Sequence, residues 1–186
     1  MKVLFVNACV RDESRTKILA DYLLGKIGGD VEEINLEKLK PQPFDEKLLK
    51  KRNALIKEGR FDDEIFFYAQ KFVLADMIVV AAPFWDFSFP ALFKAFIEHV
   101  NVSGLVFKYT DQGIQTLCKA SKLYYVTTMG GYNSTDFGFG YVEALCHVLY
   151  GIKDVKLVKA EGLDVIGNDI DAILQKAKKD IDKLFD

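Results

Sequence analysis

Three cysteines in 186 residues, with no two close in sequence, leave this chain without a disulfide framework or a C-x-x-C redox pair. An odd count of Cys9, Cys118 and Cys146, with no signal-peptide pattern at the start, predicts a reducing, cytoplasmic setting. There are only two histidines, His99 and His147, and neither has a metal-ligating neighbour at useful spacing, so no metal site is expected. No apolar run reaches the roughly 18 residues that would span a bilayer, so no membrane partner is expected. Nor is there an excess of charge: 25 basic against 27 acidic residues give a formal net charge of −2, which offers no footprint for nucleic acid. The glycine signatures G-x-G-x-x-G and G-K-[ST] are missing too, which argues against a dinucleotide-binding loop and a P-loop. Repeats, low-complexity tracts and linkers are lacking, so residues 1–186 read as one domain.

Large side chains are what the chain has in quantity. Half of its residues are hydrophobic and 15 are phenylalanine, enough for a sizeable core. Five strand-like segments (3–7, 31–36, 77–82, 123–128 and 155–163) alternate with helical ones (16–27, 62–74, 90–100, 139–150 and 169–184). The run Met77-Ile78-Val79-Val80-Ala81-Ala82 is continuously apolar, as suits a central parallel strand covered on both faces. Five βα units in succession predict an α/β fold: an open, doubly wound, five-stranded parallel sheet of order 2-1-3-4-5 with helices on both faces. Two connections are longer than that plan needs. Residues 37–61 contain Pro41, Pro43 and a lysine-rich stretch, 47–57, that reads as a solvated helix face. Residues 104–120 read as a turn or hairpin. There Leu105, Val106, Phe107 and Tyr109 would form an exposed apolar patch, the mark of an interface, which predicts a homodimer.

In such a sheet, ligands collect at the carboxyl ends of the strands, where the winding reverses. Three loops leave there. The first, Ala8 to Thr16, runs straight into a helix whose head carries unpaired N–H groups and partial positive charge. Ser14, Arg15 and Thr16 would add two hydroxyls and a guanidinium around a single phosphate; an ordinary strand-to-helix connection with Thr16 as N-cap is the alternative. The second loop, Pro83-Phe84-Trp85-Asp86-Phe87-Ser88-Phe89-Pro90, holds four aromatic residues, including the only tryptophan. They suit stacking on a flat ring, with a hydrophobic plug under the next helix as the alternative. Pro90 suits the first turn of that helix. The third loop, Thr127-Thr128-Met129-Gly130-Gly131-Tyr132, has paired glycines that let backbone approach a ligand edge, or that simply make a turn.

Together these loops resemble the FMN-dependent NADH:quinone oxidoreductases and azoreductases of the flavodoxin-like fold, over nearly the whole chain. Ser14-Arg15-Thr16 stands where that family places its FMN phosphate. Ala82-Pro83-Phe84-Trp85-Asp86-Phe87 is similar to its A-P-M-[YW]-N-F loop against the isoalloxazine. Phe107-Lys108-Tyr109-Thr110-Asp111-Gln112-Gly113 resembles its F-[RK]-Y-T-x-x-G segment, Thr128-Met129-Gly130-Gly131 its loop at the pyrimidine end, and Ala160-Glu161-Gly162 its A-E-G. Three departures stand out: Ala8 where the family often has Ser but where the backbone amide remains, Asp86 for Asn, and Met129 where some relatives carry Arg. The resemblance implies bound FMN, NADH or NADPH as reductant, and quinones or azo compounds as oxidants in ping-pong two-electron transfer. The cofactor carries that chemistry, so no catalytic triad is implied. Tyr109, Tyr132 and Phe137 become candidates for the substrate slot. An FMN electron carrier without turnover is the alternative; a receiver-type domain would need acidic residues after the first strand, where Asn7-Ala8-Cys9 has none.

Overall fold

A computed structural model describes residues 1–133 and 137–186. In chain order the elements are β1 (Lys2–Asn7), α1 (Arg15–Ile27), β2 (Asp30–Asn35), α2 (Leu36–Leu39), α3 (Glu46–Glu58), α4 (Phe67–Leu74) and β3 (Met77–Ala81). They continue with α5 (Ala91–Val100), β4 (Phe107–Thr110), β5 (Gly113–Thr116), β6 (Lys122–Thr128), α6 (Phe139–Leu145), β7 (Asp154–Ala160) and α7 (Ile170–Asp182). Five of the strands form one all-parallel sheet, β2-β1-β3-β6-β7, and β4 pairs antiparallel with β5 apart from it. Counting only the strands of the large sheet, its order is the expected 2-1-3-4-5.

The alternation of side chains along each strand makes two cores. Val3 and Phe5 of β1, Val79 of β3 and Tyr124 and Val126 of β6 face α1 and α7, packing on Leu19, Leu23 and Ile181. Leu4, Val6, Ile78, Val80 and Tyr125 point the other way, against Phe66, Phe93, Phe96 and their neighbours. Each fully buried Leu, Ile or Phe contributes roughly 1.5–3 kcal/mol, so both faces hold the sheet in register. That register brings Asn7 level with Ala81, and Ala81 level with Val126, so the loops leaving β1, β3 and β6 emerge side by side.

Several boundaries differ from the periodicity reading, each for a local reason. The segment 62–74 divides into a 3-10 turn, Glu64–Phe66, capped by Asp63, and then α4. The segment 139–150 ends in a wider π turn, Cys146–Tyr150, closed by Gly151 at φ 67°. The last strand stops at Ala160 rather than at 163, because the chain turns at Gly162 (φ 77°) and binds residues 129–131 instead. Pro90 is the residue before α5 and not part of its first turn. Inside the long connection 37–61, α3 runs from its Asp45 cap to Gly59, burying only Leu55; its lysines are exposed as read.

The segment 104–120 is a hairpin, but the apolar patch expected on it does not exist. Val106 is fully buried, Phe107 is 6% exposed and Leu105 packs against the same core, because Leu117 N–H donates to the Val106 carbonyl and turns these side chains inward. Of the four, only Tyr109 projects, 70% exposed. His99 is buried in a protein environment, Nε2 lying 2.8 Å from the Gln42 carbonyl with its ring against Phe44.

Candidate functional site

The first loop begins by using up its own donors. Ala8 N–H donates to the Ala81 carbonyl (2.9 Å), continuing the ladder, so the amide expected to be left for a phosphate is taken. Cys9 N–H donates to Asn7 Oδ1 (3.0 Å), and Asn7 Nδ2 donates to Glu33 Oε1 (2.8 Å), which braces the loop against β2. Burial pushes the Cys9 thiol up to about 11, its hydrogen bond with Ser14 opposing only in part, so it is a protonated packing group. Ser14, not Thr16, caps the helix: its Oγ accepts from Lys17 N–H (3.3 Å) and its carbonyl from Ile18 N–H (3.0 Å). The amides of Arg15 and Thr16 remain at the head of this 13-residue helix, whose first turn carries no acidic residue.

The two other expected phosphate groups have different partners. Thr16 Oγ1 lies 2.6 Å from Thr128 Oγ1, a hydroxyl pair joining α1 to the end of β6. Arg15 Nη1 donates to Asp164 Oδ1 (2.8 Å) and to the Leu163 carbonyl (3.2 Å), so its guanidinium crosses to the loop after β7.

These loops enclose a cleft of about 340 Å³, a size at which small-molecule sites begin. Ser14, Arg15 and Thr16 line one end; Pro83, Phe84 and Trp85 form an apolar wall; Thr128, Met129 and Gly130 close another side. Arg11 and Glu13 also reach it, and so do Leu163 and Asp164. The two arginines and two carboxylates cancel in formal charge. Attraction for an anion therefore falls to the helix head. The aromatic loop divides between cleft and core. Phe84 and Trp85 line the cleft, while Phe89 packs on Phe93 (ring centroids 5.0 Å) beneath α5.

Several expected residues are not in the cleft lining. Ala8 is fully buried. Asp86 and Phe87 form the tip of a tight turn closed by reciprocal Trp85–Ser88 backbone hydrogen bonds of 3.0 and 2.8 Å, and both have positive φ, 49° and 64°. This is the φ pattern of a type I′ turn, here built without glycine, and it turns Phe87 into solvent. Tyr132 accepts a hydrogen bond from Asn168 Nδ2 (3.0 Å) and faces the groove between β7 and α7. Tyr109 sits out on the hairpin, edge-on to Phe107, and Phe137 is exposed. Gly131 lies beside the lining with open space where a side chain would stand.

Leu163 and Asp164 escaped the sequence reading, although the Ala160-Glu161-Gly162 motif stops just before them. Gly162 N–H donates to the Gly131 carbonyl (2.9 Å), Leu163 N–H to Met129 (3.1 Å) and Asp164 N–H to Gly130 (2.8 Å). Those three bonds fasten the fifth loop, the one that leaves β7 (the fifth strand of the sheet), to the third. A Cβ at Gly130 would overlap the Asp164 carboxylate and push that side chain aside. The assembly fits FMN: free amides at a helix head for one phosphate, a flat apolar wall for a ring, and accessible backbone at Gly131 for a polar edge.

A family model described as the flavodoxin-like fold matches residues 1–185. FMN-dependent NADH:quinone oxidoreductase 2 of Clostridium acetobutylicum is 34% identical, with 96% of each chain covered. The FMN-dependent NADH:quinone oxidoreductase of Clostridium perfringens (strain SM101) is 31% identical, over 98% of this chain and 95% of its own. Among solved structures, the azoreductase of Bacillus anthracis (strain Sterne) superposes with a TM-score of 0.85 at 22% identity, covering 99% of this chain and 98% of its own. An FMN-dependent NADH-azoreductase of Bacillus anthracis in complex with FMN gives 0.83 at 21% identity, over 99% and 97%. At those identities the structural matches speak for the fold, and the sequence matches carry the assignment. The chain belongs to the family of FMN-dependent NADH:quinone oxidoreductases of the flavodoxin-like fold.

Proposed function

We propose that this cleft holds FMN and that the protein is an NADH-dependent oxidoreductase acting on quinones, with aromatic azo compounds as a second class of oxidant. One observation carries the reading: the open head of α1 and the Pro83-Phe84-Trp85 wall converge on a single cleft. The bound flavin would supply the two-electron chemistry, taking hydride from the nicotinamide and passing it to the oxidant. The chain binds and orients. The Arg15 and Thr16 amides and the Ser14 hydroxyl would hold the phosphate end, and Phe84 and Trp85 would hold the ring and keep water from it. Thr128, Met129, Gly130 and Gly131 meet the ring's polar edge, where backbone donors favour the negative charge that reduction brings. Asp86 and Phe87 form the tip of the turn that follows the Pro83-Phe84-Trp85 wall, and Ala8, fully buried, supports the phosphate loop.

Tyr109, Tyr132 and Phe137, exposed aromatic side chains outside the cleft lining, remain the candidates for completing the oxidant slot, and the protein works as a homodimer. The dimer reading rests on the family to which the chain belongs and on the exposed Tyr109 of the hairpin, since the hairpin's other apolar residues are turned inward. Three free thiols support a cytoplasmic setting.

Mass spectrometry of the released cofactor tests the first step, with FMN expected and mainly FAD the result that rejects it. Steady-state assays of NADH and NADPH with a soluble quinone then separate an enzyme from an electron carrier. Parallel double-reciprocal lines are expected, because nicotinamide and oxidant share one opening in turn; intersecting lines would count against it. Sedimentation at micromolar concentration checks the dimer, and a fully active monomer would exclude it.

A further inference from the structure

The Arg15–Asp164 contact is a strut across the cleft. Arg15 belongs to the phosphate loop, yet its guanidinium is bound 2.8 Å from Asp164 Oδ1 and 3.2 Å from the Leu163 carbonyl. Residues 162–164 are in turn fastened by three backbone hydrogen bonds to residues 129–131. The other carboxylate oxygen of Asp164 lies against Gly130, in the space a Cβ would need. One carboxylate therefore touches both ends of the cleft: the loop at the helix head through Arg15, and the loop at the ring's edge through Gly130. Both bonds use Nη1, and together they aim the guanidinium at the loop after β7, 37% exposed against a carboxylate that is 71% exposed.

We infer that Asp164 is a positioning residue that commits Arg15 to bracing the ring-edge loop, so that the cofactor phosphate is held by the helix head without the charge of Arg15. This rests on the flavin reading of the cleft. It assigns Gly130 a structural reason, room for the Asp164 carboxylate, and leaves Gly131 as the glycine open to ligand.

The test compares FMN with riboflavin, which shares the ring and lacks the phosphate. Full-length protein freed of flavin is titrated with each, reading the quenching of flavin fluorescence. A wild-type protein that quenches neither overturns the flavin reading and this inference with it. With binding established, R15A and D164A should each weaken riboflavin by about fivefold, and the double variant should lose no more than either alone. The preference for FMN over riboflavin should stay within about twofold of wild type in R15A and the double variant and rise in D164A, where Arg15 is released toward the phosphate, a pattern that general loosening of the fold would not produce. Salt should weaken riboflavin binding by wild type and lose that effect in the double variant, because only the strut depends on opposite charges. D164N, which keeps the shape and removes the charge, should behave as D164A does. G130A should weaken riboflavin binding in the wild-type background and not in D164A. Loss of FMN binding alone in R15A, an FMN preference in D164A no higher than in wild type, or unchanged riboflavin affinity in both variants would each overturn the strut.

Discussion

Ser14 caps α1, and in the proposed reading its hydroxyl also donates to the phosphate; its replacement separates the two roles. As N-cap it accepts from Lys17 N–H, so S14A should lower stability by about 1 kcal/mol in the absence of ligand. As a phosphate donor it should cost FMN affinity and spare riboflavin. Urea unfolding without ligand and titration with both flavins read the two effects independently. Thr16 differs, because its hydroxyl is engaged with Thr128 rather than with a ligand. T16V keeps the volume and should cost about 1 kcal/mol, with T128V adding little once T16V is present. The position of both residues at the head of α1 was legible in the sequence, from the strand and the helix period that flank them. Their partners were not. Thr16 and Thr128 are 112 residues apart, and Arg15 and Asp164 are 149 apart. Only the parallel stacking of β1, β3, β6 and β7 brings those pairs within reach, and no local pattern encodes it.

Among the elements, the Trp85–Ser88 turn is where local propensity and observed geometry disagree most. Asp86 and Phe87 both hold positive φ, which costs a non-glycine residue roughly 1–2 kcal/mol each. D86G removes one such cost at an exposed side chain, offset in part by the greater freedom of the unfolded chain. A net gain of about 0.5–1 kcal/mol is expected, seen as a melting temperature higher by roughly 2–4 °C. A lower melting temperature would show that Asp86 makes contacts worth more than its strain. Glycine is the usual cue for such a turn, and its absence here hid the geometry, although the aromatic content of the loop was plain. The hairpin of β4 and β5 taught the converse. Its apolar residues were legible, but whether Val106 and Phe107 face solvent or core depends on how β4 and its flanks are tied down by Leu117, and hydrophobicity alone is silent on that. The strands were the best-read elements, since continuous apolar runs bounded by turns have few other uses in an α/β chain.

At the scale of the whole molecule, the buried thiols tie stability to pH. Burial raises Cys9 and Cys118 to about 11 and Cys146 to about 12, from an ordinary value of 9.0. A thiol that keeps its proton longer when folded lends its full stabilisation only below the pH at which the unfolded chain ionises. Above about pH 9 the unfolded chain sheds those protons first, so stability falls as pH rises through the window up to 11–12. At pH 10 each thiol should already have cost about 1.4 kcal/mol, and urea midpoints measured from pH 7 to 10.5 should decline accordingly. Burial of Tyr125 and Tyr150, whose phenols are also pushed up, adds to the decline at the top of that range. A flat profile would mean that the thiols ionise as freely in the folded protein as in the unfolded one. The cleft has a further consequence for biosynthesis. Its walls come from residues as early as Val10 and as late as Asp164, and the third loop is fastened in place by the fifth. A nascent chain still lacking residue 164 cannot assemble it, however well its first strands and helices have paired. Cofactor capture is therefore a late event on the ribosome or a posttranslational one, and a prematurely terminated chain would be released colourless, which makes flavin content a direct measure of how many molecules finished folding.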